Sequence, residues 1–338
     1  MRRGKTTPFR GPKGERVPGS IAEIHPLRLG GIEQWVMVRG ESITNPPLII
    51  LHGGPGFSDT GFFRAFNAPL EKIFTVVYWD QRGAGKSFDR TLVRSTMTVE
   101  QFISDLDDLV EWVRERVGAN KVVLLGHSWG SVLGVLYAAR FPDKIAAYVG
   151  AAQIGDWPAG ESASYELALA EAKRRHDRKA TRKLVAMGPP PHSAKTVFAE
   201  RTLALRLAGQ LGAKSMWKAL QAAVGVRESS VFDLPKTLRG FRFSMDAMWP
   251  EVSRIDLLVA VPKLTMPVFF FLGRKDPWVP PQVSVVYFDA LVAPSKKIVW
   301  FEQSGHEPFV DEPDAFNAAM TELVRPLAGQ NGEGAQPR

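Results

Sequence analysis

The chain has 338 residues, 45% hydrophobic and 23% charged, a balance that excludes a disordered chain or a repeat array and implies one large α/β domain with an insertion, or two domains. It contains no cysteine, which removes disulfides, thiolate metal sites and thiol nucleophiles and leaves the redox compartment open. The net charge of +8 gathers in residues 1–20 and in Lys173 to Lys183; no aromatic interleaving or nucleic-acid module accompanies either stretch, so both read as solvated faces and no nucleic-acid partner is expected.

Residues 1–20 are rich in Gly, Pro and Arg, lack hydrophobic periodicity, and read as an extended or mobile basic arm. They carry the charge of a secretory leader without its apolar run, so a cytoplasmic protein with no membrane span is expected. Apolar runs at Gln34 to Val38, Pro47 to Leu51, Phe74 to Trp79 and Lys121 to Leu125 predict strands. Between the last two, Val99, Phe102, Ile103, Leu106, Leu109, Val110 and Val113 recur at helical spacing, with Thr98 as N-cap. Strands alternating with helices imply a mostly parallel central sheet covered on both faces.

After Gln153 the pattern changes. Helical stretches such as Ser162 to Arg175 and Ala194 to Ala208 follow one another, broken by Gly188-Pro189-Pro190-Pro191, with no strong strand signal. Pro267 to Gly273 and Lys297 to Phe301 then restore the sheet, before a final helix over Pro313 to Leu327 and a polar tail. The chain thus divides into an α/β core of residues 21–154 and 261–338 and a helical insertion of residues 155–260.

Gly126-His127-Ser128-Trp129-Gly130 sits between a buried strand and a helix running to about Arg140. In that setting a Gly-x-Ser-x-Gly segment lifts a serine hydroxyl above the sheet on a sharp turn. The hydroxyl needs a base, and the base an orienting acid. Asp276 follows the strand ending at Gly273, and His306 follows the strand ending at Phe301. The order Ser128, Asp276, His306 fits a nucleophile elbow with its triad. The developing oxyanion needs two N–H donors, which points to Trp129, directly after the nucleophile, and to Gly54 in the glycine-rich loop following Leu51.

HGGPG at 52–56, DQRGAGKS at 80–87, GHSWGS at 126–131 and GRKDPWVP at 273–280 occur in that order. Together they resemble the α/β-hydrolase superfamily, and within it the proline iminopeptidase-like branch. The resemblance implies an α/β-hydrolase fold, hydrolysis of a small-molecule or short-peptide substrate without cofactor or metal, and an inserted helical cap over the site. Asp80, Arg82, Gly83 and Ser87 match a loop beside the family's site and are read as structural. Gly53, Phe57, Trp157, Glu161, Glu166, Glu200, Asp246 and Trp278 are expected to contribute to substrate binding. The family holds a free α-amine with acidic residues; the insertion lacks the tryptophan-glutamate pairing sought there, leaving Glu161, Glu166, Glu200, Asp246 and Glu251 as candidates. The expected activity is an aminopeptidase releasing a small N-terminal residue, with proline the family's suggestion; the alternative is an esterase or amidase on a small or hydrophobic acyl group. A serine at the elbow argues against dehalogenase and epoxide hydrolase relatives, which place an aspartate there, and the retained triad argues against a catalytically silent binding module.

Overall fold

The computed structural model describes residues 6–210, 217, 228 and 233–329. The first five residues of the arm, most of the insertion between 211 and 232, and the tail from 330 lie outside them. Among the described residues one eight-stranded sheet runs in the order β1-β2-β4-β3-β5-β6-β7-β8. The strands are β1 (Ile21–Leu29), β2 (Ile32–Gly40), β3 (Pro47–Leu51), β4 (Thr75–Asp80), β5 (Val122–His127), β6 (Ile145–Ala151), β7 (Val268–Gly273) and β8 (Lys296–Phe301). β1, β2 and β4 pair antiparallel, and every other pairing is parallel.

Both faces of the sheet are covered, which is why β3, β4, β5 and β7 are buried at every position and read as continuous apolar runs. One face packs Leu106, Val132 and Tyr287; the other packs Phe63, Phe74 and Phe316. Helix α2 (Val99–Val117) starts as its pattern predicts, the Thr98 hydroxyl accepting from the Gln101 N–H at 3.2 Å. Helix α3 (Trp129–Arg140) follows β5 directly.

Two strands were not anticipated. β1 carries Pro26 and mostly half-exposed residues, a composition suited to an edge strand; β6 reads IAAYVGA, low in β-branched residues but buried on both faces. The described part of the arm contacts the core: the Arg39 guanidinium donates to the Thr7 carbonyl at 2.6 Å and stacks over Phe9. The final helix is three pieces, Pro313–Ala319, a wider-wound Met320–Val324 and Arg325–Ala328, because Pro326 removes a backbone donor.

Between β6 and β7 the chain forms α4 (Trp157–Arg174), α5 (Arg178–Met187), α6 (Ala194–Leu207) and α7 (Leu234–Val252). Tyr165, Ala172, Leu184 and Leu207 give this insertion a small core of its own, while Trp157, Met248 and Trp249 join it to the main core.

Candidate active site

Ser128 stands between the last residue of β5 and the first of α3 with φ 53° and ψ −117°, a backbone state that non-glycine residues hold only where the surroundings enforce it. Those surroundings are tight. A Cβ on Gly126 would lie 2.3 Å from the Gly130 carbonyl oxygen, and one on Gly130 would lie 2.0 Å from that of Leu51. Both flanking positions therefore admit only glycine, and the hydroxyl is carried up to the N-terminal end of α3, where N–H groups point outward.

The imidazole and the acid arrive from the loops after β8 and β7. His306 Nδ1 donates to Asp276 Oδ2 at 2.8 Å, and Asp276 Oδ1 accepts the N–H groups of Trp278 and Val279 at 2.8 and 3.0 Å. With both oxygens engaged, the carboxylate fixes the ring and leaves Nε2 as the basic nitrogen, on a residue that lines the same cavity as Ser128. Burial pulls the His306 pKa below its ordinary value, against the raising influence of Asp276. Neither the Ser128 hydroxyl nor the Gly54 N–H has a hydrogen-bond partner among the described residues; catalytic contacts commonly close only in the substrate complex.

Partner chemistry fixes the protonation of the neighbouring histidines as well. His52 donates from Nδ1 to the Gly53 carbonyl at 2.8 Å and accepts the Gln81 N–H on Nε2 at 3.0 Å, so it is neutral. His127, directly before Ser128, faces acceptors on both sides: Asp59 Oδ2 at 2.8 Å from Nδ1 and the His306 carbonyl at 3.1 Å from Nε2. Two acceptors favour a proton on each nitrogen, which biases His127 toward the imidazolium. Burial opposes that charge, yet the Asp59 carboxylate outweighs it and the pKa is raised. Asp59 also accepts the Gly53 N–H at 2.9 Å, so one buried ion pair ties the loop after β3 to the elbow and the His306 loop.

The DQRGAGKS loop is tied down by its own polar contacts. Arg82 and Asp105 form a buried two-point ion pair at 2.8 and 2.9 Å, and Asp80 Oδ2 takes the Lys86 N–H at 2.7 Å.

A cavity of about 210 Å³ opens over Ser128 between sheet and insertion. Of the residues expected there, Gly53, Gly54, Phe57, Ser128, Trp157, Trp278 and His306 line it. Asp276 stands behind His306, and the Trp129 side chain is buried beneath the elbow, its Nε1 donating to Gln81 at 3.1 Å. Glu166 and Asp246 are corrected: both are exposed and neither lines the cavity, as is also true of Glu251, which accepts the Val99 N–H at 3.1 Å. Each stands on the outer side of an amphipathic helix, where a carboxylate keeps its water. Glu161 and Glu200 are buried, but one step behind the wall, beside the lining residues Gly160 and Arg201. Burial raises both carboxyls. Glu161 accepts the His192 N–H at 2.9 Å and Glu200 Oε1 the Ser164 hydroxyl at 3.2 Å, whereas Glu200 Oε2 has no hydrogen-bond partner.

Three charged lining residues escaped the sequence reading, the first being Asp156, the N-cap of α4, whose Oδ1 accepts the Ala159 N–H at 3.0 Å. Glu307 lines the cavity directly after His306, and burial pushes its carboxyl up to about 7; adjacency to His306 was the available signal. Arg201 projects from α6, and nothing in its sequence setting distinguishes it from a solvated arginine.

A family model described as alpha/beta hydrolase fold matches residues 46–313. The probable aminopeptidase YbaC of Bacillus subtilis (strain 168) is 31% identical over 310 residues, covering 90% of this chain and 97% of the relative. A proline iminopeptidase of Heyndrickxia coagulans is 23% identical over 83% of this chain and 91% of its own. Among solved structures, a proline iminopeptidase-related protein from Thermus thermophilus superposes with a TM-score of 0.65 at 22% identity, covering 91% of this chain and 99% of that one.

Proposed function

The chain belongs to the α/β-hydrolase fold family, in its proline iminopeptidase-like branch, and on that premise we propose that it is a serine aminopeptidase acting through Ser128, His306 and Asp276. The observation carrying the proposal is the strained elbow serine on the cavity floor beside an imidazole whose Nδ1 is committed to a carboxylate at 2.8 Å. Ser128 Oγ adds to the substrate carbonyl as His306 Nε2 takes its proton. The oxyanion is met by the N–H groups of Gly54 and Trp129. Collapse expels the amine, which receives the proton from His306, and a water activated by the same nitrogen hydrolyses the acyl-enzyme.

A free α-ammonium entering this apolar cavity needs a carboxylate facing it. Glu307 lines the wall, and Glu161 and Glu200 stand behind the insertion side of it. A second reading, an esterase or amidase for an uncharged acyl group, is favoured by the cationic Arg201 on the wall contributed by the insertion. Parallel assay of aminoacyl anilides, their N-acetylated forms and short aryl esters separates the two. Preference for the free amine by at least about tenfold supports the aminopeptidase; equal cleavage of acetylated and free substrates transfers the assignment to the esterase or amidase.

A further inference from the structure

Arg201 is a cation placed where water is scarce. Its side chain is 13% exposed, and its counter-ion, Glu200, lies 3.6 Å from Nε, outside hydrogen-bond reach. The guanidinium makes no hydrogen bond among the described residues, although it carries five donors. The wall around it is largely apolar, with Val197, Phe198, Phe241 and Trp249. Glu200, Asp276 and Glu161 supply the negative charge around it without hydrogen-bonding it, so its donors stay open to the cavity, and its planar fork matches a carboxylate at two points.

The side of the cavity it serves is fixed by its backbone. The Trp278 indole donates to the Arg201 carbonyl at 2.7 Å, and the Trp278 ring packs against His306 with centroids 5.0 Å apart. The insertion wall at Arg201 therefore adjoins the His306 side of the cavity, the side on which the departing amine takes up its proton. Its charge reaches that imidazole, being among the influences that hold the His306 pKa down.

We propose that Arg201 binds a carboxylate on the departing portion of the substrate, so that the site takes short peptides with a free C-terminus in preference to amidated or extended ones. Glu200, one residue back and ion-paired from behind, holds the guanidinium toward the cavity. The inference rests on the serine-hydrolase assignment and deepens the aminopeptidase reading.

The test compares kcat/KM for a free dipeptide and its C-terminal amide in the wild type, Arg201→Gln and Arg201→Lys. Fluorophosphonate labelling of Ser128 checks that each variant is folded. The wild type is expected to prefer the free acid by about tenfold or more, Arg201→Gln to raise KM for the acid by about tenfold to a hundredfold and abolish the preference, and Arg201→Lys to restore part of it. A wild type indifferent to the carboxylate, or an Arg201→Gln enzyme impaired equally on acid and amide, overturns the proposal. If no peptide is cleaved, the aminopeptidase reading fails by itself, and Arg201 is tested on aryl esters whose phenol leaving group does or does not bear a carboxylate. Loss of that selectivity in Arg201→Gln sustains the proposal, and its persistence defeats it.

Discussion

Beneath Ser128 and above it, buried charges are treated in opposite ways. On the core side they are committed: Asp276 uses both oxygens on three donors, Asp59 serves His127 and Gly53, and Arg82 grips Asp105 at two points. On the insertion side polar groups are left open, for Glu200 Oε2, His192 Nδ1 and the neutral Trp157 Nε1 have no hydrogen-bond partner and Arg201 has only an ion pair at 3.6 Å. A group that must hold one geometry through the reaction is saturated by its neighbours. One that must recognise a ligand keeps valence in reserve, and so costs stability until the ligand arrives.

The largest effects that could break this contrast lie in the committed set. Ser128→Ala should abolish both turnover and fluorophosphonate labelling, while His306→Ala and Asp276→Asn should each lower kcat by about three orders of magnitude or more. Near-normal turnover in any of the three refutes its role.

Next come the backbone positions. Gly130→Ala forces a Cβ against the Leu51 carbonyl and should destabilise the fold by more than about 2 kcal/mol, whereas Gly160→Ala in α4, whose Cβ meets nothing within 4 Å, should stabilise by about 0.5–1 kcal/mol. Thermal melts of the two variants read the difference, and similar melting points would show the elbow to be looser than described.

The pH dependence sharpens the comparison. His306 must be neutral to act as base, and its pKa is lowered, so kcat/KM on an uncharged ester should persist below pH 6.5, falling only as pH drops through the lowered value. On the aminopeptidase reading a free-amine substrate pairs with ionised Glu307, whose carboxyl is pushed up to about 7, so its KM should rise as pH falls through that value. Glu307→Gln should remove this second limb. Coincident profiles for ester and free amine would exclude Glu307 from amine binding.

Smallest should be the effects in the reserve layer. Glu200→Gln should raise KM for free-amine substrates by about tenfold, and the exposed Glu166→Gln and Asp246→Asn should change it by less than about twofold. A larger effect at Asp246 than at Glu200 would reverse the placement of the insertion's acids.

The core side was legible because its chemistry is tied to backbone punctuation. Glycines at 126 and 130 mark the elbow, and Asp276 and His306 each stand just past a strand of the sheet, the first fully buried and the second only at Phe301, so order and spacing pick them out. The insertion side was not, since helical spacing shows that one face is buried without showing against what. Glu161 and Glu166 look alike in sequence, yet they lie five residues apart on α4, and one is buried and the other exposed. Arg201 and Glu307 became visible only when α6 and the loop after β8 were brought to one cavity. β1 and β6 were missed because edge exposure and alanine content hide strand signals that pairing supplies.

The Asp59–His127 pair has a consequence for how this protein can vary. Losing either partner alone strands a charge in a dry interior, a change worth about 3–5 kcal/mol, whereas replacing both with neutral groups of matching shape leaves nothing stranded. Positions 59 and 127, 68 residues apart in the chain, therefore constitute a single heritable unit. In a library randomised at both, survivors should retain the pair or lose it whole, and the residue before the nucleophile should be readable from the one six places beyond Gly53.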